Sequence, residues 1–156
     1  MVDTFTVAFF GHRYVENIED VMNLLEKQIR EIVGEKEQVS FLVGRHGDFD
    51  RCAAAAVHRM RKEYRDDNNS LVLVLPYPTA AYTNHKEAFH AYFTDVEISL
   101  AASSAHPKAA SPIRNHELVD RADLIICYVG RESGGAWQAI QYAKKQGKKI
   151  INIYGL

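Results

Sequence analysis

Five apolar runs recur along the chain, separated by longer segments of mixed polarity. Each is rich in Val, Ile, Leu or Phe and is bounded by glycine or polar residues; the runs cover residues 4–10, 39–43, 71–75, 124–129 and 149–154. Unbroken apolar runs of this length predict strands that are buried on both faces. The pattern therefore indicates a sheet that is covered on each side by other elements.

The segments between these runs have a different period. Apolar residues recur three and four positions apart in them, which predicts amphipathic helices. We expect Gly34 to end the first helix and the side chain of Asp48 to cap the second. Because strands alternate with helices, residues 1–156 are predicted to form a single α/β domain, Rossmann-like, with a doubly wound, mainly parallel sheet and helices on both faces.

Residues 77–112 are harder to interpret. We expect a short helix over residues 86–93 and a short strand over residues 96–100. Residues 101–112 are mostly Ala, Ser and Pro without a period, which predicts a loop. A loop of this length in a compact domain is usually functional or mobile, so it is a candidate lid.

Composition limits the partners. The chain has 19 Lys and Arg residues against 20 Asp and Glu residues, so no overall positive field attracts a polyanion, and nucleic acid is an unlikely partner. Cys52 and Cys127 lie in apolar patterns and are expected to be small buried side chains. With neither a leader pattern nor an apolar run of membrane-spanning length, a cytoplasmic protein with no membrane partner is expected.

Candidate chemistry lies in the loops that follow the strands. Ser133-Gly134-Gly135-Ala136 begins a helix, where free N–H groups and the helix dipole favour a phosphate; alternatively, these small residues serve only tight packing. The loop from Gly44 to Asp50 offers Arg45 and His46 as ligand contacts, or is simply a polar turn. Trp137 either stacks on a base or packs under a neighbouring loop.

Several common sites are not indicated. Gly11-His12-Arg13 follows the first strand without the GxGxxG pattern of a dinucleotide site, and the chain has no GxxxxGK followed by Ser or Thr. His12 and His46 show no spacing typical of a metal site. We therefore expect neither a metal nor a bound cofactor.

Several motifs together resemble the SLOG superfamily of Rossmann-like nucleotide-binding proteins, especially its YpsA-like branch. The motifs, in chain order, are Gly11-His12-Arg13, Phe49-Asp50, residues 113–115, residues 118–123, Ser133-Gly134-Gly135 and residues 142–148. The superfamily includes molybdenum-cofactor carriers, a DNA-processing factor, nucleotide-signal sensors and phosphoribohydrolases. The resemblance implies that Arg114 corresponds to the hydrolases' functional arginine. Their catalytic glutamate is replaced by Ile140, and Glu132 is a carboxylate nearby in the sequence.

The leading hypothesis is a sensor or carrier that binds a phosphorylated nucleotide or nucleotide derivative at the carboxyl edge of the sheet. Its predicted ligand-binding residues are Gly11, His12, Arg13, Gly44, Arg45, His46, Gly47, Asp50, Arg114, Asn115, Gly130, Ser133, Gly134, Gly135, Ala136 and Trp137. One alternative is an N-glycosidic hydrolase of nucleoside monophosphates that uses Arg114 and either Glu132 or Asp50. Another is a protein-interaction scaffold with an unused pocket. Members of the superfamily often pair, which implies a homo-oligomer.

Overall fold

The computed structural model describes residues 3–156. Strands and helices alternate along the chain, with the strand runs ending close to where the apolar pattern predicts. In chain order the elements are β1 Phe5–Gly11, α1 Ile18–Glu35, β2 Val39–Val43, α2 Asp48–Glu63, β3 Asn69–Leu75, α3 Ala80–Asn84, α4 Lys86–Tyr92, β4 Asp95–Ile98, α5 Leu100–Ser103, α6 Pro107–Arg121, β5 Leu124–Tyr128, α7 Gly134–Lys145 and β6 Lys149–Asn152.

The six strands form one parallel sheet in the order β4-β3-β2-β1-β5-β6. Alternate side chains of β1, β2, β3 and β5 enter two separate cores. Phe9 and Phe41 pack with α1 and α2 on one face, whereas Phe10 and Leu42 pack with α6 and α7 on the other. The prediction of a doubly wound α/β fold is confirmed.

The two cysteines lie in different cores. Cys52 is buried on the α1 and α2 face, and Cys127 is buried on the α6 and α7 face. Burial raises the pKa of the Cys127 thiol to about 12, so it stays protonated at neutral pH. Both therefore serve as small buried side chains, as the apolar pattern predicts.

The prediction of a loop at residues 101–112 is wrong, because this segment is largely helical; the lid role remains a prediction. Ser99 Oγ accepts a hydrogen bond of 3.1 Å from the N–H of Ala102 and so caps α5. His106 Nδ1 accepts one of 3.2 Å from the N–H of Lys108, and Pro107 is the first residue of α6, a position that favours proline. The segment packs through alanine, so it has no stripe of large apolar residues.

Two helix ends also differ from prediction. Gly34 does not end α1, which continues to Glu35. Gly47, not Asp48, is the N-cap of α2, and its φ of 145° lies in the region that favours glycine. The Asp48 carboxylate instead accepts a hydrogen bond of 3.1 Å from the N–H of Val15. A side chain predicted to cap its own helix therefore joins two loops.

Within residues 3–156, no helix combines the length and apolarity required to cross a membrane.

Candidate functional site

A cavity of about 360 Å³ lies at the carboxyl ends of the central strands. Strand β1 lies between β2 and β5, and the helices that follow β2 and β5 cover opposite faces of the sheet. The loops after these strands therefore separate at this point and leave a crevice, the usual ligand position in an open α/β sheet. Helix α6 completes the wall with Ser111, Arg114, Asn115 and Leu118.

Arg114 is the most deeply buried charge at this cavity, with 4% of its surface exposed. Its Nη1 donates a 2.9 Å hydrogen bond to the carbonyl of Val74, and its Nε donates one of 3.0 Å to Oδ1 of Asn115. Burial lowers the pKa of Arg114, while the charges of Asp50 and Glu117 oppose that shift; a guanidinium nevertheless stays protonated. Within residues 3–156, Nη2 has no hydrogen-bond partner, so one edge of the guanidinium remains available.

Gly44 brings Arg114 and Asp50 close together. A Cβ on Gly44 would lie 2.5 Å from Nη1 of Arg114 and 3.2 Å from Oδ2 of Asp50. Oδ2 of Asp50 accepts a hydrogen bond of 2.7 Å from the N–H of His46. Burial raises the pKa of Asp50, although that hydrogen bond and the charge of Arg114 act in the opposite direction. The pair therefore places a cation beside a carboxyl group that is less acidic than usual.

The histidines of this wall favour their neutral forms. Removal from water, together with the charge of Arg131, lowers the pKa of His12. Its Nε2 accepts a hydrogen bond of 2.8 Å from the N–H of Gly130, which only a neutral ring with the proton on Nδ1 can do. Desolvation and the charges of Arg114 and Arg13 lower the pKa of His46 as well. An anion in the cavity would offset those positive charges.

Backbone contacts hold the loops in place. The N–H of Asp48 donates a 2.8 Å hydrogen bond to the carbonyl of Arg13, and a Cβ on Gly47 would lie 2.5 Å from the Cα of Arg13. Glycine at position 47 is thus required by close approach as well as by φ. The loops after β1 and β2 are therefore packed against each other.

The first turn of α7 presents its backbone to the cavity, because Gly134 and Gly135 have no side chains. Gly134 has a φ of 91°, and a Cβ on Gly134 or Gly135 would meet nothing within 4 Å. The side chain of Ser133 makes no capping hydrogen bond. The N–H groups of a helix's first turn have no partner inside the helix, so this open turn can donate to an anion.

The structure brings many, but not all, of the predicted site residues to this cavity. Those that line it are Gly11, His12, Arg13, Gly44, His46, Asp50, Arg114, Asn115, Gly134, Gly135 and Ala136. In the part of the chain that the structure describes, those outside its lining are Arg45, Gly47, Gly130, Glu132, Ser133 and Trp137. Glu132 and Ser133 are exposed, and Trp137 is half-buried. Their predicted contacts with a ligand remain predictions.

Sequence reasoning missed two polar residues in the wall. Arg131 lies in the glycine-rich loop after β5, so its position beside Gly130 was a usable signal. Ser111 lies in the segment predicted to be a loop, and only the helical course of α6 turns it toward the cavity. Phe9, Phe10 and Leu118 contribute apolar surface.

A second cavity, of about 550 Å³, adjoins the first and shares Gly44 and Asp50 with it. Aromatic side chains of α4 and its C-terminal flank line this cavity together with Arg45 and Arg51. Arg45 therefore lies in a neighbouring cavity and not beside Arg114. Residues 3–156 contain no group of three or more His, Cys, Asp or Glu side chains arranged to hold a metal ion.

Comparison with known proteins identifies the fold. No protein-family model matches the chain, and no curated protein matches it. Structures of two DNA processing proteins are among the solved structures similar to it. An X-ray structure of DNA processing protein A from Streptococcus pneumoniae aligns with a TM-score of 0.69 at 15% identity, over 98% of this chain and 51% of that one.

A structure of DNA processing protein A from Helicobacter pylori, described for its single-stranded DNA binding mode, aligns with a TM-score of 0.63 at 15% identity, over 94% of this chain and 63% of that one. This chain spans about half the length of the first protein and less than two thirds of the second. The likeness shows a Rossmann-like α/β fold. It does not bear on the YpsA-like branch.

Proposed function

We propose that this protein binds a phosphorylated nucleotide or nucleotide derivative in the first cavity. The observation that carries the proposal is the buried guanidinium of Arg114, which is held by two hydrogen bonds and keeps Nη2 available. Burying a charge is costly unless it is paired, and within residues 3–156 no carboxylate lies within 4.0 Å of it. An anionic ligand would supply the missing partner.

Three further groups support a phosphate at this position. Arg13 and Arg131 are exposed at the rim, and the first turn of α7 presents backbone donors. A helix N-terminus stabilises an anion by about 0.3–1 kcal/mol at an exposed site and up to about 2 kcal/mol where it is partly buried. A charged hydrogen bond contributes about 1.5–3 kcal/mol. Together these favour a phosphate over a neutral sugar.

The kind of activity is also part of the proposal. A sensor or carrier of the SLOG type, in the YpsA-like branch, accords with the motifs and with the fold. We further propose that residues 1–156 act as one domain in the cytoplasm and that the protein is a homo-oligomer, which light scattering of the purified protein tests.

Ligand-dependent thermal stability tests the proposal. A ligand that binds only the folded state raises its apparent stability with ligand concentration. We expect ribose 5-phosphate and ribonucleoside 5′-monophosphates to raise the melting temperature, and Arg13→Ala or Arg131→Ala to weaken that effect. Arg65→Ala is the matched control, since Arg65 pairs with Asp67 on an exposed surface. No rise with any phosphate compound would contradict the proposal and favour the scaffold.

Single-stranded DNA is a second candidate ligand. The Helicobacter pylori relative is described as binding it, and the likeness covers 94% of this chain. The near-zero net charge therefore argues only weakly against nucleic acid, because the cations here are local. Fluorescence anisotropy with a labelled oligodeoxynucleotide, at several salt concentrations, tests this candidate.

Hydrolysis of a nucleoside monophosphate is a third candidate, and Asp50 is the residue that favours it. Its raised pKa suits a proton donor, whereas Glu132 is exposed and Ile140 is buried. Incubation with a panel of nucleoside monophosphates, followed by chromatography for free base, tests this reaction. Turnover that Arg114→Ala and Asp50→Asn abolish would favour the hydrolase over the carrier.

A further inference from the structure

The second cavity differs chemically from the first. Its walls include Phe89 and Phe93, which are buried, and Tyr92, which is 38% exposed. Arg45 and Arg51 provide its cationic groups, and both are exposed. Aromatic rings with charged groups at the edge are typical of sites that hold a planar, polar ring.

The planar groups of Arg45 and Tyr92 are each stacked on a neighbouring ring. The guanidinium of Arg45 lies over the ring of Phe89, 4.7 Å from its centroid. Tyr92 stacks on His58 with centroids 4.3 Å apart and planes 6° apart. Each planar group is therefore supported on one side, which lowers the entropy lost when another ring stacks on it. Arginine and aromatic planes both stack on nucleobases.

The two cavities meet at Gly44 and Asp50. The two linings adjoin there, so a ligand that spans both cavities, from a phosphate beside Arg114 toward Phe89, would pass Asp50. Asp50 is a carboxyl group at the junction, where it can accept a hydrogen bond from a sugar hydroxyl or a ring N–H. The arginines offer donors to the carbonyl and ring nitrogen acceptors of a base.

We propose that the second cavity is the base subsite of the ligand whose phosphate occupies the first. This inference rests on the proposed function and adds a chemical class to it: the ligand is an intact nucleotide with a planar base, and a bare sugar phosphate fills only half of the site. Arg45 and Tyr92 are the residues that contact the ring.

Isothermal titration calorimetry tests the subsite with two kinds of probe. The first is ribose 5-phosphate, which lacks a base, and the second is the set of adenosine, guanosine, cytidine and uridine 5′-monophosphates. Stacking of one base corresponds to about a tenfold gain in affinity. We therefore expect at least one nucleotide to bind about tenfold or more tightly than ribose 5-phosphate.

Variants assign that gain to the second cavity. Arg45→Ala and Tyr92→Leu should each narrow the gap in affinity between the nucleotide and ribose 5-phosphate. The affinity for ribose 5-phosphate itself should stay within about twofold of the parent value. Arg65→Ala should preserve the gap. Circular dichroism of each variant should match that of the parent protein. Arg45→Ala should also keep the parent melting curve because Arg45 is exposed, whereas Tyr92→Leu loses the stack on His58, so its affinities are measured below its own melting temperature. Narrowing in only one variant supports the subsite and identifies which side chain contacts the ring.

The remaining outcomes overturn the inference in distinguishable ways. Equal affinity for ribose 5-phosphate and all four nucleotides would remove the subsite but leave the phosphate site. A gap that survives in both variants would place the base elsewhere. If neither kind of probe binds, the proposed function fails, and the subsite fails with it.

Discussion

The two adjoining cavities share Gly44 and Asp50 but are otherwise lined by different kinds of chemical groups. The first is formed by backbone and charged groups that hydrogen bonds hold in place, from Arg114 of α6 to Val74 of β3 and from Gly130 to His12 in the loops. The second is formed by aromatic rings of a short helix and its flank, which pack without such directional bonds. We therefore expect the first cavity to select a charged group of fixed geometry and the second to bind flat rings with less discrimination.

Replacing Arg114 should distinguish the binding properties of the two cavities most clearly. Arg114→Ala removes charged hydrogen bonds worth about 1.5–3 kcal/mol each, so we expect the affinity for ribose 5-phosphate to fall by about tenfold to a hundredfold. Arg114→Lys keeps the positive charge but loses the planar set of guanidinium donors, so it should recover only part of the lost affinity. Calorimetry measures the affinity.

The control is Arg45→Ala, which removes a guanidinium from the second cavity only. Its affinity for ribose 5-phosphate should match that of the parent protein. Should the Arg114 variants prove too unstable to assay, Arg13→Ala measures the same phosphate site from an exposed position. Equal losses for Arg45→Ala and Arg114→Ala would contradict the division into two chemically different cavities.

A methyl group at the shared glycine should disturb both cavities. Gly44→Ala places a Cβ 2.5 Å from Nη1 of Arg114, and overpacking of this kind costs about 1–3 kcal/mol. Gly135→Ala is the matched substitution, because its Cβ would meet nothing within 4 Å. We expect its stability to stay within about 0.5 kcal/mol of the parent value. Urea denaturation compares the two variants. Similar destabilisation would show that a methyl group at position 44 is not crowded by Arg114 and Asp50.

Acid should loosen the first cavity through His12. Since its folded pKa is below the ordinary value of 6.5, its contribution to stability is present above pH 6.5 and is lost as the pH falls through the folded pKa. His12→Gln keeps an acceptor for Gly130 but does not titrate. We expect the parent protein to lose about 1 kcal/mol relative to this variant on acidification, the value of one hydrogen bond. Parallel stability curves between pH 7 and 5 would refute this.

The pH dependence of stability that comes from Asp50 should be opposite in sign to that from His12, and its effect should be the smallest of these predictions. Burial holds its folded pKa above the ordinary value of 3.8, so its contribution to stability is complete below pH 3.8 and is lost as the pH rises through the folded pKa. Asp50→Asn should therefore be more stable at neutral pH, by less than about 1 kcal/mol, with no advantage below pH 3.8. Chemical denaturation across this range measures the difference. An Asn variant that is less stable at neutral pH would mean that the charge of Arg114 outweighs burial.

The fold was largely predictable because local patterns carried it. The strand predicted at residues 39–43 coincides with β2, and the run at residues 71–75 lies within β3. Unbroken apolar runs identify strands that are covered on both faces. Residues 101–112 escaped this reasoning, because alanine forms helices well but leaves no stripe of large side chains to recognise.

The candidate site was predictable only as a set of loops. The glycine and charged residues after the strands identified Gly44 and Gly134, whereas Arg114 was identified from the family resemblance; the structure brings all three to one cavity. The separation of Arg45 from Arg114 could not be predicted, since it depends on the position of Phe89, 44 residues away along the chain. The hydrogen bond between Asp48 and Val15 could not be predicted either, because it joins two different loops.

The amino-acid sequence by itself determined the buried strands and the helices that carry a stripe of large apolar residues, because burial patterns and turn chemistry are local properties. Only the tertiary structure decided which cation meets which cavity and which carboxyl group is held less acidic than usual. Those properties depend on distances and on exclusion of water, and both arise when segments far apart in the chain pack together.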